Sequence, residues 1–296
     1  MKKIFVGLFL CFGLSCCLYS QQNSFSPIRD KWETDFEGNQ EYNHYNADYC
    51  DYYLMLSSGN SINITPGKNT ILKITKSNKG DNTYYYPFTY RFFKGKFIDK
   101  FNSDFLYALP FHNGDSTQFK INSNQRDLTL MFSCKNADTI YAARGGIVCM
   151  FDATDMSSKY VNPHKENCLL IYHQDYTFAE YTGFTKTFVN PGDLVSVGQA
   201  IGIVNVTNKV TPYQLSIAFF FLDKNKVENK QTGNKYSHFA PLFHTANAGN
   251  IKLEEKKAYI SELTDTLITQ EMSKKEKKRY EKKKLKALEK KWDIKS

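Results

Sequence analysis

Four short apolar segments decide the fold: DTIYAARGGIVCMF (138–151), LLIYHQDYTFAEYTGF (169–184), FVNPGDLVSVGQAIGIV (188–204) and PYQLSIAFFFLD (212–223). β-Branched and aromatic side chains dominate each one, and Gly, Pro, Asn or Asp cuts each one off. That is the signature of successive antiparallel strands joined by tight turns. Gly198 and Gly202 fall inside the third segment, where glycine marks a bulge or a close approach of two backbones.

The composition agrees with a β protein. The chain has 296 residues, enough for one large domain or two modest ones. Its 20 Tyr and 23 Phe suit pleated surfaces better than helices. The expected class is all-β: an antiparallel sandwich or barrel-like core over 108–248, preceded by a small β-sandwich module over 41–107. A leader at 1–20, an extended lead-in at 21–40 and a basic helical tail at 249–296 complete the chain.

The order and spacing of the four segments resemble the lysostaphin-type (LytM-type) zinc endopeptidases, whose fold is the duplicated hybrid motif and which cut peptide cross-links of bacterial cell walls. Ala142 to Val148 resembles that family's "A-x-x-x-G-x-V". Ile171 to Phe184 resembles "I-x-H-x-D-G-T-x-A-x-Y-x-H-L". Val189 to Gly202 resembles "V-x-x-G-D-x-V-x-x-G-Q-x-I-G", and Gln214 to Ile217 resembles "H-L-H-F". The motifs cover about a third of the chain, and VNPGDLVSVGQAIG is the most specific of them.

The resemblance implies five cleft positions. The family's H-x-x-x-D falls on Asp127 and Met131, the His of Y-x-H-L falls on Gly183, and H-x-H falls on Gln214 and Ser216. His173, Asp175 and Tyr181 belong to the surrounding framework. A catalytic zinc needs about three N, O or S ligands and an open position for water. A thioether, a neutral hydroxyl, an amide and a glycine do not supply them, and only Asp127 offers a carboxylate. Activation of water by a Lewis acid therefore has no evident seat. The expectation is no catalytic residue, no metal and no cofactor. The alternative is an active endopeptidase that holds zinc through relocated ligands, drawing on Asp127, His112 or His173.

The rest of the chain sets the context. Lys2 and Lys3 followed by apolar Ile4 to Leu18 read as a signal peptide, so the expected location is the periplasm or cell envelope, or secretion. Cys16 and Cys17 after Leu14-Ser15 leave a lipoprotein reading open. Beyond the leader remain Cys50, Cys134, Cys149 and Cys168, which allow three pairings that sequence cannot choose among. Buried thiols are the plainer expectation. YCDYYLMLSS, SINITPG, NTILKITKS, YYYPFTYRFF and KFIDKF are candidate strands of the N-terminal module. Tyr86 to Gly95 loosely fits an aromatic run found in some members of the family. Core packing of these rings is the simpler reading; stacking on glycan is the other. His173 beside Asp175 could be a base and its orienter. Asp175-Tyr176, however, occupies a hairpin turn, which favours a structural role for both. His112 and His164 read as loop residues, and the spacing of His238 and His244 matches no metal pattern.

From Glu271 onward the tail reads as helix, with Ser273-x-x-Glu276 in the form of a capping box. Twelve basic and five acidic residues there carry most of the chain's formal charge of +9. Leu285, Leu288 and Trp292 make a thin apolar stripe. The tail is either a solvated helix or an arm for anionic lipid or acidic polymer; nucleic acid is not an expected partner. The whole suggests an exported pseudo-peptidase that binds peptidoglycan or a cell-wall hydrolase. A purely structural envelope protein is the bland alternative.

Overall fold

Polar and apolar residues alternate here in short runs that only a pleated backbone can sort onto two faces. A computed structural model describes residues 27–57, 59–76, 89–98, 100–122, 128–135, 137–150, 168–204, 213–229 and 235–293. The N-terminal strands are β1 (Ile28–Thr34), β2 (Gln40–Asn46), β3 (Tyr52–Leu56), β4 (Ser61–Ile64), β5 (Gly67–Ile74) and β6 (Tyr90–Lys94). Then come β7 (Leu106–Ala108), β8 (Ser116–Ile121), β9 (Thr129–Ser133), β10 (Asp138–Tyr141), β11 (Gly146–Cys149), β12 (Cys168–Tyr172) and β13 (Phe178–Thr182). The remaining strands are β14 (Lys186–Thr187), β15 (Leu194–Val195), β16 (Ala200–Val204), β17 (Tyr213–Leu222), β18 (Tyr236–His238), β19 (Leu242–Thr245), β20 (Gly249–Ile251) and β21 (Ala258–Ile260). Helices α1 (Lys224–Glu228), α2 (Asp265–Thr269) and α3 (Lys274–Asp293) complete the set. The class is all-β with a C-terminal helix, as the sequence predicts.

The largest sheet runs in the order β15-β11-β12-β13-β17-β9-β8-β21, with β18 also on β17. Its inner face carries Leu130, Phe132, Val148, Leu169, Ile171, Ala179, Tyr181, Leu215, Ile217 and Phe219. These pack against residues of the smaller sheets β10-β16-β14 and β20-β19-β7, such as Ile140, Ile201, Tyr107 and Phe243. Gly202 sits where β16 crosses close to its neighbours: a Cβ there would meet the Lys186 carbonyl oxygen and the Phe184 ring, both at 2.6 Å. The close approach expected of a glycine within a strand is thus present.

The outer face of the large sheet is divided. At one end Leu170, Tyr172, Phe178, Phe220 and Leu222 are covered by Ile28, Cys50, Tyr52, Leu54 and Ile64 of the N-terminal strands. At the other end the same strands carry Cys168, Thr182 and Ser216, which are half-buried. This division explains QLSIAFFFL. The segment alternates where one face is open and becomes continuously apolar where both faces are covered.

The N-terminal strands form two small sheets, β1-β2-β5 and β4-β3-β6. β1 lies within the polar stretch expected to be a lead-in. Paired polar groups hold it there: Tyr42 and Tyr90 donate to the Asp30 carboxylate, each at 2.9 Å, and Tyr45 donates to Glu33 at 2.5 Å. KFIDKF forms no strand among its described residues. Residues 84–88 of the aromatic run lie outside the described residues.

Composition assigns 249–296 to the tail, but its first part joins the sheets: β20 pairs with β19, and β21 with β8. Short strands with one buried side chain, such as Tyr259, carry too little periodicity to show in composition. The capping box forms as the sequence suggests: Ser273 donates through its backbone N–H and hydroxyl to Glu276 at 2.8 and 2.6 Å, and α3 starts at the next residue. Leu285 is exposed, and the side chains of Leu288 and Trp292 lie outside the described residues. Among the described residues no helix is long and apolar enough to cross a membrane.

Candidate functional site

The open half of the outer face is built by register. Cys168 pairs with Thr182, Thr182 with Ser216, Ser216 with Met131 and Met131 with Lys120. Five adjacent strands thus place a thiol, two hydroxyls, a thioether and an ammonium in one row. In the next row Glu180 pairs with Leu170 and Ala218. Side chains alternate along each strand, so the neighbours Tyr181, Leu215, Ile217, Leu130 and Phe132 all point into the inner core.

Four of the five expected cleft positions come together here. Met131 and Ser216 are direct partners, and Gln214 lies two residues before Ser216 on β17. The β17–β9 register slips between Tyr213 and Leu215, so Gln214 forms a bulge. The bulge pushes the Gln214 carbonyl toward Gly183, whose φ is 109°. A Cβ on Gly183 would lie 2.0 Å from that oxygen. This backbone therefore admits no side chain at Gly183, and glycine is the residue that tolerates both the dihedral and the contact. Asp127, the fifth position, lies outside the described residues.

The described members of the donor set do not make a zinc site. Met131 offers a soft thioether and Ser216 a neutral hydroxyl, and Gly183 offers nothing. Cys168 is the one additional sulfur in this row. Burial, with the Glu180 charge behind it, pushes its thiol up to about 11, so it stays protonated at neutral pH and is neither a ready ligand nor a nucleophile.

The framework residues serve a different cluster. His173 follows β12 at the end away from Cys168, so five residues of extended chain, roughly 17 Å, separate it from the open row. Its Nδ1 lies 2.7 Å from the Gly145 carbonyl oxygen, which places the proton on Nδ1. Its Nε2 is buried and has no partner. Burial, and then the nearby Arg144 charge, pulls its pKa from 6.5 down to about 3. A group so placed is a neutral structural imidazole. His173 and Asp175 flank a hairpin turn closed from His173 N–H to the Thr177 carbonyl at 2.9 Å, with Tyr176 at φ 70°. Tyr181 is buried, and its hydroxyl accepts from the Ala143 N–H at 2.9 Å.

Arg144 is the centre of this second cluster, and the motif reading passed over it. Its guanidinium is 2% exposed. It donates to Asp175 at 2.8 Å, to the Tyr107 hydroxyl at 3.1 Å and to Glu271 at 2.6 and 3.1 Å, and it stacks on Phe105 at 3.6 Å. Burial would raise the Asp175 pKa, but the Arg144 charge and hydrogen bond hold it below the ordinary value. Arg144, Asp175 and Glu271 also line a surface cavity with Asn102, Gln174 and Glu276. An arginine inside the apolar run AARGGIV was the available signal, because a charge buried among strands needs partners.

The other histidines do not join the row as relocated ligands. His112 packs against Tyr141, with ring centres 6.2 Å apart. His244 lies between Asn250 Oδ1 at 2.7 Å and Glu262 Oε2 at 3.0 Å. His238 pairs with Phe220 on β18. His164 lies outside the described residues.

No protein-family model matches this chain, and no curated protein matches it. Several solved structures are similar to it, two peptidases among them. One is described as a novel M23 metalloprotease, pseudoalterin, from the deep sea: 15% identity, TM-score 0.29, covering 39% of this chain and 70% of that one. The other is a zinc-containing peptidase from Vibrio cholerae: 14% identity, TM-score 0.28, covering 67% of this chain. The chain spans about half of that peptidase, 54% of its length.

Proposed function

We propose that this chain is an exported, non-catalytic relative of the lysostaphin-type peptidases, and that its open half-face holds the peptides of peptidoglycan without cutting them. One observation carries the reading. Of the five positions where the resembled motifs put ligands and catalytic histidines, Met131 and Ser216 stand in one row with Gly183 and Gln214 beside it, and among the described residues that row has no set of metal-competent donors. Hydroxyls, an amide and an ammonium can still hydrogen-bond an extended peptide and its carboxylates. Among its described residues the row lacks a metal site to activate the attacking water.

The test uses the purified full chain and isolated sacculi. The expected outcome is cosedimentation with sacculi and no muropeptide release, with or without added zinc. Ser216→Arg, which fills the row, should weaken cosedimentation while leaving the fold intact. Stoichiometric zinc together with chelator-sensitive muropeptide release would replace this reading with an active endopeptidase. Failure to bind sacculi, with capture of a purified cell-wall hydrolase instead, would move the face from wall peptide to protein partner.

A further inference from the structure

Cys50 and Cys149 lie about a hundred residues apart in sequence, yet both are buried in the same apolar cluster. Cys50 belongs to the N-terminal module, just before β3. Cys149 ends β11 on the outer face of the large sheet. Their sulfurs lie within 4.8 Å of each other and within hydrogen-bonding reach. The geometry points to a disulfide between Cys50 and Cys149 that clamps the N-terminal module onto the covered half of the sheet.

The surroundings favour a bond between the sulfurs over a metal. Asp48 is the third group close enough to be a ligand. Its carboxylate is already saturated. Oδ2 accepts from Lys94 Nζ at 2.7 Å and from the Tyr52 hydroxyl at 2.9 Å; Oδ1 accepts from the backbone N–H of Tyr49 at 2.7 Å and of Met150 at 2.8 Å. Lys94 also donates to the Met150 carbonyl at 2.6 Å, so an ammonium is fixed where a cation would have to enter. A disulfide is neutral and leaves these four contacts in place; it gives up only the weak donation from the Cys50 thiol to Asp48 Oδ2 at 3.5 Å.

The other two thiols point the pairing the same way. Cys134 packs against the inner core, and Cys168 sits on the open half of the outer face, so the sheet stands between them.

The oxidation needs a disulfide donor such as oxidised glutathione. One cysteine, as thiolate, attacks the donor's S–S bond, forming a mixed disulfide and releasing one donor thiolate. The second cysteine then displaces the other half of the donor. The chain loses two electrons and two protons, and the donor becomes two thiols. Burial pushes the Cys50 thiol well above its usual range, so exchange is slow in the folded chain and the bond forms as the chain folds. The same burial then shields it from reductant.

The experiment refolds the full chain in an oxidised glutathione mixture, followed by a non-reducing peptide map, metal analysis and thermal melting. The expected map contains one cross-linked peptide joining Cys50 and Cys149. Reduction should require denaturant and should lower Tm by roughly 5 to 10 °C. Both Cys50→Ala and Cys149→Ala should abolish that redox dependence, so a folding defect in one variant leaves the other as the check. Free thiols at both Cys50 and Cys149 after equilibration, a different partner for either cysteine, or a metal held by Asp48, Cys50 and Cys149 would overturn the inference. A bond that forms without changing Tm would overturn its role as a clamp.

Discussion

Two polar clusters occupy opposite ends of the same strands, and they differ in almost every physical respect. The open row (Cys168, Thr182, Ser216, Met131, Lys120) is half-buried, and three of its five side chains have no charge at any ordinary pH. The Arg144 cluster is ionic, with Arg144 buried at its centre and joined to the partly exposed Asp175 and Glu271 and to Tyr107 and Thr177. In a working enzyme the perturbed ionisations gather in the cleft. Here the Arg144 ion pairs lie away from the row, in which burial shifts the Cys168 thiol. Ionic networks built for structure also perturb pKa values, and Arg144 is such a case.

The largest expected effect breaks the ionic cluster. Arg144→Ala leaves Asp175 and Glu271 without their counter-charge and Tyr107 without its donor. Removing one partner of a buried ion network costs about 3–5 kcal/mol, so urea unfolding should show a loss of that order. A loss under about 1 kcal/mol would mean that water satisfies these carboxylates and that the cluster is no pillar of the fold.

The next effect probes the row. Gly183→His would restore an imidazole to the position that the family motif assigns to one. The Cβ is the atom that collides with the Gln214 carbonyl. Gly183→Ala and Gly183→His should therefore cost nearly the same, about 2–3 kcal/mol each, from the positive φ and the displaced bulge. If histidine were tolerated far better than alanine, the bulge would be soft and the cleft recoverable.

These residues also show what could be read from sequence. The strands around the row were legible because their apolar periodicity and turn residues are local signals, as in VNPGDLVSVGQAIG. Met131, Gly183, Gln214 and Ser216 were named from motif spacing alone. The divided outer face was only implicit, in the change from QLSI to AFFFL. The Arg144 cluster was not legible, because Glu271 lies 127 residues from Arg144. The Asp48–Lys94 pair was hidden the same way, with 46 residues between its members. No local pattern reports which distant carboxylate meets a buried cation. The strands β20 and β21 were missed for want of length: three residues cannot establish a period.

A smaller effect comes from pH. The folded chain keeps His173 neutral down to about 3, whereas the unfolded chain protonates it near 6.5. Between these values the unfolded state binds more protons, so stability falls as pH falls. His44, buried among Tyr42 and Tyr90, shifts in the same direction because of its burial. Asp175 and Asp48, with lowered pKa values, lose their contribution only below about 4. The window from pH 6.5 to about 5.5 isolates the histidines, because Glu33, Glu41 and Glu276, which are also lowered, begin to titrate in the unfolded chain below it. Unfolding free energies measured across it should decline with acid. In His173→Gln the slope should flatten by up to about 1.4 kcal/mol per pH unit, the value of one proton. Identical slopes would mean that His173 titrates normally and is not sealed.

The smallest effect decides whether the row serves stability or binding. Ser216→Ala removes one hydroxyl from a half-buried position between Thr182 and Met131 and leaves its backbone pairing intact. A side chain that solvent can reach carries little of the fold, so the change in unfolding free energy should stay within about 0.5 kcal/mol. Binding to sacculi should respond more, because the hydroxyl is one of few hydrogen-bonding groups the row presents, and a lost hydrogen bond is worth about 1 kcal/mol or several-fold in affinity. Arg144→Ala should do the reverse, lowering stability sharply while the molecules that remain folded bind as before. The pair of variants, each read by urea unfolding and by sacculus cosedimentation, separates the two ends of the strands. If Ser216→Ala moved stability and left binding untouched, the open row would be a packing surface and the contrast between the clusters would fail.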